Sequence, residues 1–127
     1  MILIDTSIWI DFLRQKNEQL SARLSEQIEG GNVVAFGSVF GELLQGVRSD
    51  REENIILDLW NDLPQLEDSF ILIEAGRMSY QNKLFNKGIG LIDCAILVAC
   101  KKNNLELWTL DNPLLQAAGS LKIKSFN

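Results

Sequence analysis

Apolar residues recur along the chain in two rhythms, and their alternation predicts the elements. Ile2-Leu3-Ile4 is a compact apolar run that turns polar at Asp5-Thr6-Ser7, the pattern of a short buried strand. Ile8, Trp9, Phe12 and Leu13 then fall on one stripe at helical spacing, with Thr6 or Ser7 placed to cap that helix. Leu20, Leu24 and Ile28 predict a second helix over Glu18–Glu29, stopped by Gly30-Gly31. Asn32–Phe36 contains the run Val33-Val34-Ala35-Phe36 and reads as a second buried strand. Gly37-Ser38 is expected to turn and cap a helix carrying Phe40, Leu43, Leu44 and Val47, with Glu42 beside them. A further helix is expected over Arg51–Leu63, ended by Pro64.

Glu67–Leu72 is expected as a short edge strand and Glu74–Asn86 as a helix closed by Lys87-Gly88. Ile89–Cys100 is apolar nearly all round, so it reads as a buried helix. Its one charge before Lys101 is Asp93, in the first turn, where free backbone N–H groups and the helix dipole favour an anion. Leu105–Thr109 follows as a short buried strand, with Asp111 just past its end. Asn112-Pro113 starts a short helix, and Gly119-Ser120 turns into a last strand at Leu121–Ile123. Strands alternating with helices predict an α/β domain with a mainly parallel central sheet of four to five strands. The 127 residues fit one domain, 1–127.

Composition narrows the chemistry. With no histidine, Ser–His–Asp and Cys–His catalysis and His-based zinc sites are excluded. The net charge of −5 argues against simple electrostatic wrapping of nucleic acid. It leaves open a carboxylate site that recruits phosphate through a bound cation. Cys94 and Cys100 lie on different faces of one helix and cannot bridge; buried free thiols suit a reducing cytoplasm. The N-terminus lacks the basic region and long apolar run of a signal peptide, and no window approaches a membrane span.

In an open parallel sheet, sites form beyond the carboxyl ends of the strands. Asp5 ends the first strand, Glu42 is early in the helix after the second, Asp93 starts the buried helix, and Asp111 follows the fourth strand. All four can point into one crevice. Each also has a plainer structural reading: Asp5 as a helix cap, Asp93 as a dipole partner, Glu42 as an exposed helix residue, and Asp111 before Asn-Pro as a turn residue. Trp9, Trp60 and Trp108 read as core. Carboxylates brought that close must take up protons or a cation, and an all-oxygen set suits Mg²⁺ or Mn²⁺.

At these residues the chain resembles the PIN-domain nucleases, most closely the VapC-type toxins of bacterial and archaeal toxin–antitoxin pairs. The matching pieces are Leu3-Ile4-Asp5-Thr6-Ser7-Ile8-Trp9-Ile10, Val39-Phe40-Gly41-Glu42-Leu43-Leu44-Gln45-Gly46, Gly90-Leu91-Ile92-Asp93-Cys94-Ala95-Ile96 and Leu107-Trp108-Thr109-Leu110-Asp111. The resemblance covers the whole chain. It implies a three-layer α/β/α fold and Mg²⁺-dependent endoribonuclease activity. By position, Asp5, Glu42, Asp93 and Asp111 form the acidic quartet, with Asp5, Asp93 and Asp111 as metal ligands. Thr6, Ser7 and Thr109 support them through hydrogen bonds. The resemblance further implies an RNA substrate, a homodimer, and a cognate antitoxin whose C-terminal segment lies in a groove and blocks the site. Many relatives carry a further acid two places after the fourth; here that place is Pro113.

A phospho-receiver-like module is the competing class, because it too gathers acids at strand ends. It needs an acidic pair after the first strand, where this chain has Asp5 followed by Thr6 and Ser7, and its phosphoacceptor would fall to Asp68. Arg14, Arg48 and Lys83 are candidates for guiding an RNA backbone.

Overall fold

The computed structural model describes residues 1–67 and 69–127. Four strands, β1 (Ile2–Ile4), β2 (Val33–Phe36), β3 (Gln65–Leu66) and β4 (Glu106–Trp108), form an all-parallel sheet in the order β3-β2-β1-β4. β1 and β2 are buried at every position, which is why both are unbroken apolar runs rather than alternating ones. Helices α1 (Thr6–Arg14) and α2 (Glu18–Glu29) join β1 to β2, and α3 (Gly37–Gln45) and α4 (Asp50–Asp62) join β2 to β3. Helices α5 (Ile71–Asn82) and α6 (Leu91–Asn103) lead to β4, and α7 (Asn112–Ser120) follows it. This is the expected α/β architecture, a parallel sheet flanked by helices.

The strand order places the site. The chain steps from β1 through β2 to β3 in one direction, then returns to lay β4 on the other side of β1. That reversal makes the carboxyl ends of β1 and β4 a topological switch point, where open α/β sheets leave a crevice. The register pairs Ile4 with Trp108, so Asp5 and Thr109 leave the sheet side by side.

The core is built on Leu3, Ile4, Ile8, Trp9, Leu24, Ile56 and Leu107, and α6 is buried without a break from Cys94 to Cys100. Trp9 and Trp108 are core residues, and Trp60 packs against the core partly buried. Both cysteines are free and buried, and burial pushes the Cys100 thiol up to about 12, far from reactivity at neutral pH. The C-terminal tail is pinned to β4: Leu107 N donates to Lys124 O at 2.8 Å and Phe126 N to Leu107 O at 2.9 Å. The Trp108 and Phe126 rings lie 4.8 Å apart, and the Arg23 guanidinium covers both at 5.3 and 5.1 Å.

Several boundaries differ from the sequence-based expectation. The edge strand is Gln65–Leu66, not Glu67–Leu72, because the chain extends as soon as Pro64 ends α4 and Pro64 O accepts Ala35 N at 2.8 Å. Asp68 lies outside the described residues. Ile71 already belongs to α5, where it shares the buried face with Ala75. That helix stops at Asn82 rather than Asn86; Lys83 turns left-handed at φ 53° and a 3₁₀ turn, Phe85–Lys87, follows. Leu121–Ile123 is not a strand, and the tail meets the sheet through one parallel bridge, Leu107 to Ser125. Neither Thr6 nor Ser7 caps α1, and Ser38 does not cap α3, whose N-cap is Phe36 at the end of β2. Among the described residues, no helix is long and apolar enough to cross a membrane.

Candidate active site

The site is best built from Asp5, 5 % exposed and the one buried charged residue among those described. Asp5 occupies the N-cap position of α1, yet its side chain makes no capping bond; its backbone carbonyl accepts Ile8 N at 3.1 Å instead. The carboxylate turns toward β4. Its Oδ2 accepts the Ser7 hydroxyl at 2.8 Å and the Thr109 hydroxyl at 2.7 Å. Each hydroxyl in turn accepts a backbone N–H: Leu110 N to Ser7 Oγ at 3.0 Å, and Asp111 N to Thr109 Oγ1 at 3.0 Å. A hydroxyl has one proton, so filling its acceptor side from the backbone aims that proton at Oδ2. Among the described residues, Oδ1 receives no hydrogen bond.

The other acids come from separate elements. Glu42, exposed in the second turn of α3, has its Oε1 held by the Thr6 hydroxyl. Asp93 is the third residue of α6, and the backbone N–H of the N-cap residue Gly90 favours its charged form. Burial, then the charges of Asp5, Asp111 and Glu42, push the Asp93 carboxyl from its ordinary 3.8 up to about 6. Among the described residues, no lysine or arginine appreciably offsets that field. Asp111 is exposed, and its Oδ1 caps α7 by accepting Leu114 N at 2.9 Å. The turn-and-cap reading therefore holds for one oxygen of Asp111, while its charge still bears on Asp93.

The charges of Asp5, Glu42 and Asp111 thus all act on Asp93, and all three named hydroxyls touch one of the four acids. Gly90 and the backbone N–H groups of Leu110 and Asp111 escaped the sequence reading. A signal existed for the first: Gly90 and Asp93 have the N-cap to N3 spacing of a capping box. The hydroxyl relays carry a stability cost of their own. Thr109→Val removes a donor to a buried carboxylate and the acceptor for Asp111 N, so it should cost about 1–3 kcal/mol in urea unfolding. Thr109→Ser should recover most of that loss.

The donor set fits a hard divalent cation. It is all oxygen, with no histidine in the chain and both thiols buried. Among the described residues, no three acids close into a ready-made cage. Mg²⁺ does not need one, since it keeps several waters and takes one or two carboxylates together with substrate phosphates.

Comparison with known proteins agrees with this architecture. Ribonuclease VapC32 of Mycobacterium tuberculosis (strain CDC 1551 / Oshkosh) is 31 % identical over 121 residues, covering 92 % of this chain and 90 % of the relative. The crystal structure of VapBC2 from Rickettsia felis, bound to a DNA fragment from their promoter, superposes with a TM-score of 0.72 at 18 % identity, covering 100 % of both chains. FitAcB from Neisseria gonorrhoeae gives 0.67 at 23 % identity, covering 100 % of this chain and 97 % of that one. At such identities the two structures speak for the fold alone. The PIN domain family profile matches residues 2–120, a span that takes in the crevice from Asp5 to Asp111, and the chain belongs to the PIN domain family.

Proposed function

We propose that this chain is a Mg²⁺-dependent endoribonuclease, with Mn²⁺ able to substitute, and the toxin of a toxin–antitoxin pair. One observation carries the reading: a buried Asp5 carboxylate with one oxygen held and the other open, facing three further acids with no cation among them. The similarity to a protein named a ribonuclease supports RNA as the substrate.

Asp5 Oδ1 and the Asp93 carboxylate would hold the ion, joined by Asp111 directly or through water. Bound there, Mg²⁺ lowers the pKa of water, clamps a phosphate oxygen and stabilises the leaving oxyanion. Ser7 and Thr109 keep Asp5 turned so that Oδ1 faces the crevice. Glu42, steered by Thr6, positions or deprotonates the attacking water. Asp111 has two separable roles, because Asn caps a helix as well as Asp does. Asp111→Asn should therefore leave the thermal midpoint unchanged while cleavage falls by about 10–100-fold. Unchanged cleavage would remove Asp111 from the ligand set and leave it a cap.

Between α1, α2 and α4 runs a groove of about 770 Å³ lined by Phe12, Leu13 and Ile55, with Arg14, Arg51, Glu18 and Glu52 as its charges. Apolar walls rimmed by charges of both signs suit an amphipathic segment, which supports a cognate antitoxin docking there. The same reading carries a homodimer in the cytoplasm, in keeping with free buried thiols. The test is cleavage of a panel of structured RNAs by purified protein. Products should appear with Mg²⁺, vanish in EDTA and return with Mn²⁺. Equal cleavage in EDTA would overturn the metal mechanism. For the pairing, co-expression with the product of a short neighbouring reading frame should silence cleavage.

A further inference from the structure

We propose that Tyr80, Lys83 and Phe85 form a subsite for single-stranded RNA at the rim of the active site, the rings stacking on unpaired bases and Lys83 meeting the phosphate backbone. This deepens the nuclease reading and rests on it.

Charge is the first observation. The chain holds 17 acids, yet from Ala75 to Ile92 it has none, while carrying Arg77, Lys83 and Lys87. Among the described residues, none of these three cations is ion-paired. A basic stretch in a protein of net charge −5 is where a polyanion would settle.

Exposure is the second. Tyr80, the one tyrosine of the chain, is 86 % exposed, and Phe85 is 81 % exposed. Phe85 is not exposed through looseness. Leu84 and Ile89 on either side are buried, Ile89 N donates to Leu84 O at 3.2 Å, and Leu84 N donates to Ser79 O at 3.0 Å. Gly88, at φ 76°, closes the turn with the left-handed geometry that glycine adopts freely. The fold therefore anchors this turn at both ends and displays the ring between them.

The two rings share one open groove of about 700 Å³ with Lys83, Gln81 and Asn86, and the bare backbone of Gly76 forms part of its wall. A base stacked there would meet amide groups able to bond its edge. The chain itself links the groove to the acids. From Phe85 the turn runs through Gly88-Ile89-Gly90 straight into α6, whose third residue is Asp93. Stacking requires unstacked bases, so the subsite selects loops or single strands over duplex. The exposed aliphatic residues of α5, Leu72 and Ile73, lie toward its other end, away from the lysine-bearing turn.

Fluorescence anisotropy of a labelled, mixed-sequence single-stranded RNA, in EDTA to prevent cleavage, tests the proposal. Tyr80→Ala and Phe85→Ala should each weaken binding about 10-fold. Tyr80→Phe and Phe85→Trp should retain it, because they keep a π face. Lys83→Ala should flatten the logarithmic salt dependence by about 0.7. Far-UV CD and gel-filtration volume should not change in any variant. The proposal is overturned if the alanine variants bind like wild type. It is equally overturned if they elute as a smaller species than wild type, since the face would then be a contact between copies. RNA binding in EDTA that is absent, or indifferent to these residues, would sink only the subsite, whereas wild-type protein that cleaves no RNA with Mg²⁺ would sink the nuclease reading itself.

Discussion

Alanine at Asp5 or at Asp93 is expected to reduce RNA cleavage by at least about 10³-fold, a loss of about 4 kcal/mol of transition-state stabilisation at about 1.36 kcal/mol per decade. The size follows from what each side chain does. Asp5 presents the one buried carboxylate of the described residues, with Oδ1 left open by the Ser7 and Thr109 bonds to Oδ2. Asp93, in the first turn of α6, lies close enough to feel the Asp5 charge. Neither change should disturb the helices. Asp5 makes no side-chain capping bond, and α6 is held by the apolar run from Cys94 to Cys100. The far-UV CD spectra of both variants should match wild type. Undiminished cleavage by both variants, measured with Mg²⁺ at saturating RNA, would reject the assignment.

Asp93→Asn should abolish cleavage and at the same time stabilise the metal-free protein at neutral pH. Folding raises the Asp93 pKa from 3.8 to about 6, so the folded state favours the protonated form. The associated stability is fully present below pH 3.8 and is lost as pH rises through about 6. A shift of that size corresponds to about 3 kcal/mol in a fully screened-off site, and partial exposure reduces it to about 1 kcal/mol. Asparagine removes the charge and keeps nearly the same shape. Its metal-free thermal midpoint should exceed wild type by about 3–5 °C above pH 6, and the difference should disappear below pH 4. Mg²⁺ should raise the wild-type midpoint more at high pH than at low pH, because ion and proton compete for the same carboxylate. A variant less stable than wild type at neutral pH would show that the acids do not repel one another.

Long, strongly periodic elements were readable in the chain. The helix over Glu18–Glu29 has the bounds that the leucine spacing predicts, and the apolar run after Gly90 is the buried helix it suggests. The edge strand was not readable, because two residues, Gln65 and Leu66, are too few to show a period. Nor was the end of α5. Its apolar pattern continues past Asn82, but Lys83 leaves the helix so that Leu84 can turn into the core. The expected strand at Leu121–Ile123 failed for a related reason, since the tail is fixed by Phe126 on Trp108 and not by a ladder. Among the candidate site residues, the places of the acids near strand and helix ends were legible. The wiring between them was not, because Thr109 and Asp5 are separated by 104 residues and meet only through the register of β1 on β4. Thr6 and Ser7 read locally as caps. Tertiary structure claims the Thr6 hydroxyl for Glu42 instead, while Ser7 turns its hydroxyl back to Asp5, two residues earlier.

We propose that Asp5 and Asp93 share one divalent ion beyond the carboxyl ends of β1 and β4. Titration of the metal-free protein with Mn²⁺, followed by electron paramagnetic resonance, measures that directly. Wild type should bind the ion, and Asp5→Asn and Asp93→Asn should each lose most of that binding while remaining folded. Mn²⁺ binding of wild-type strength in both variants would contradict the claim.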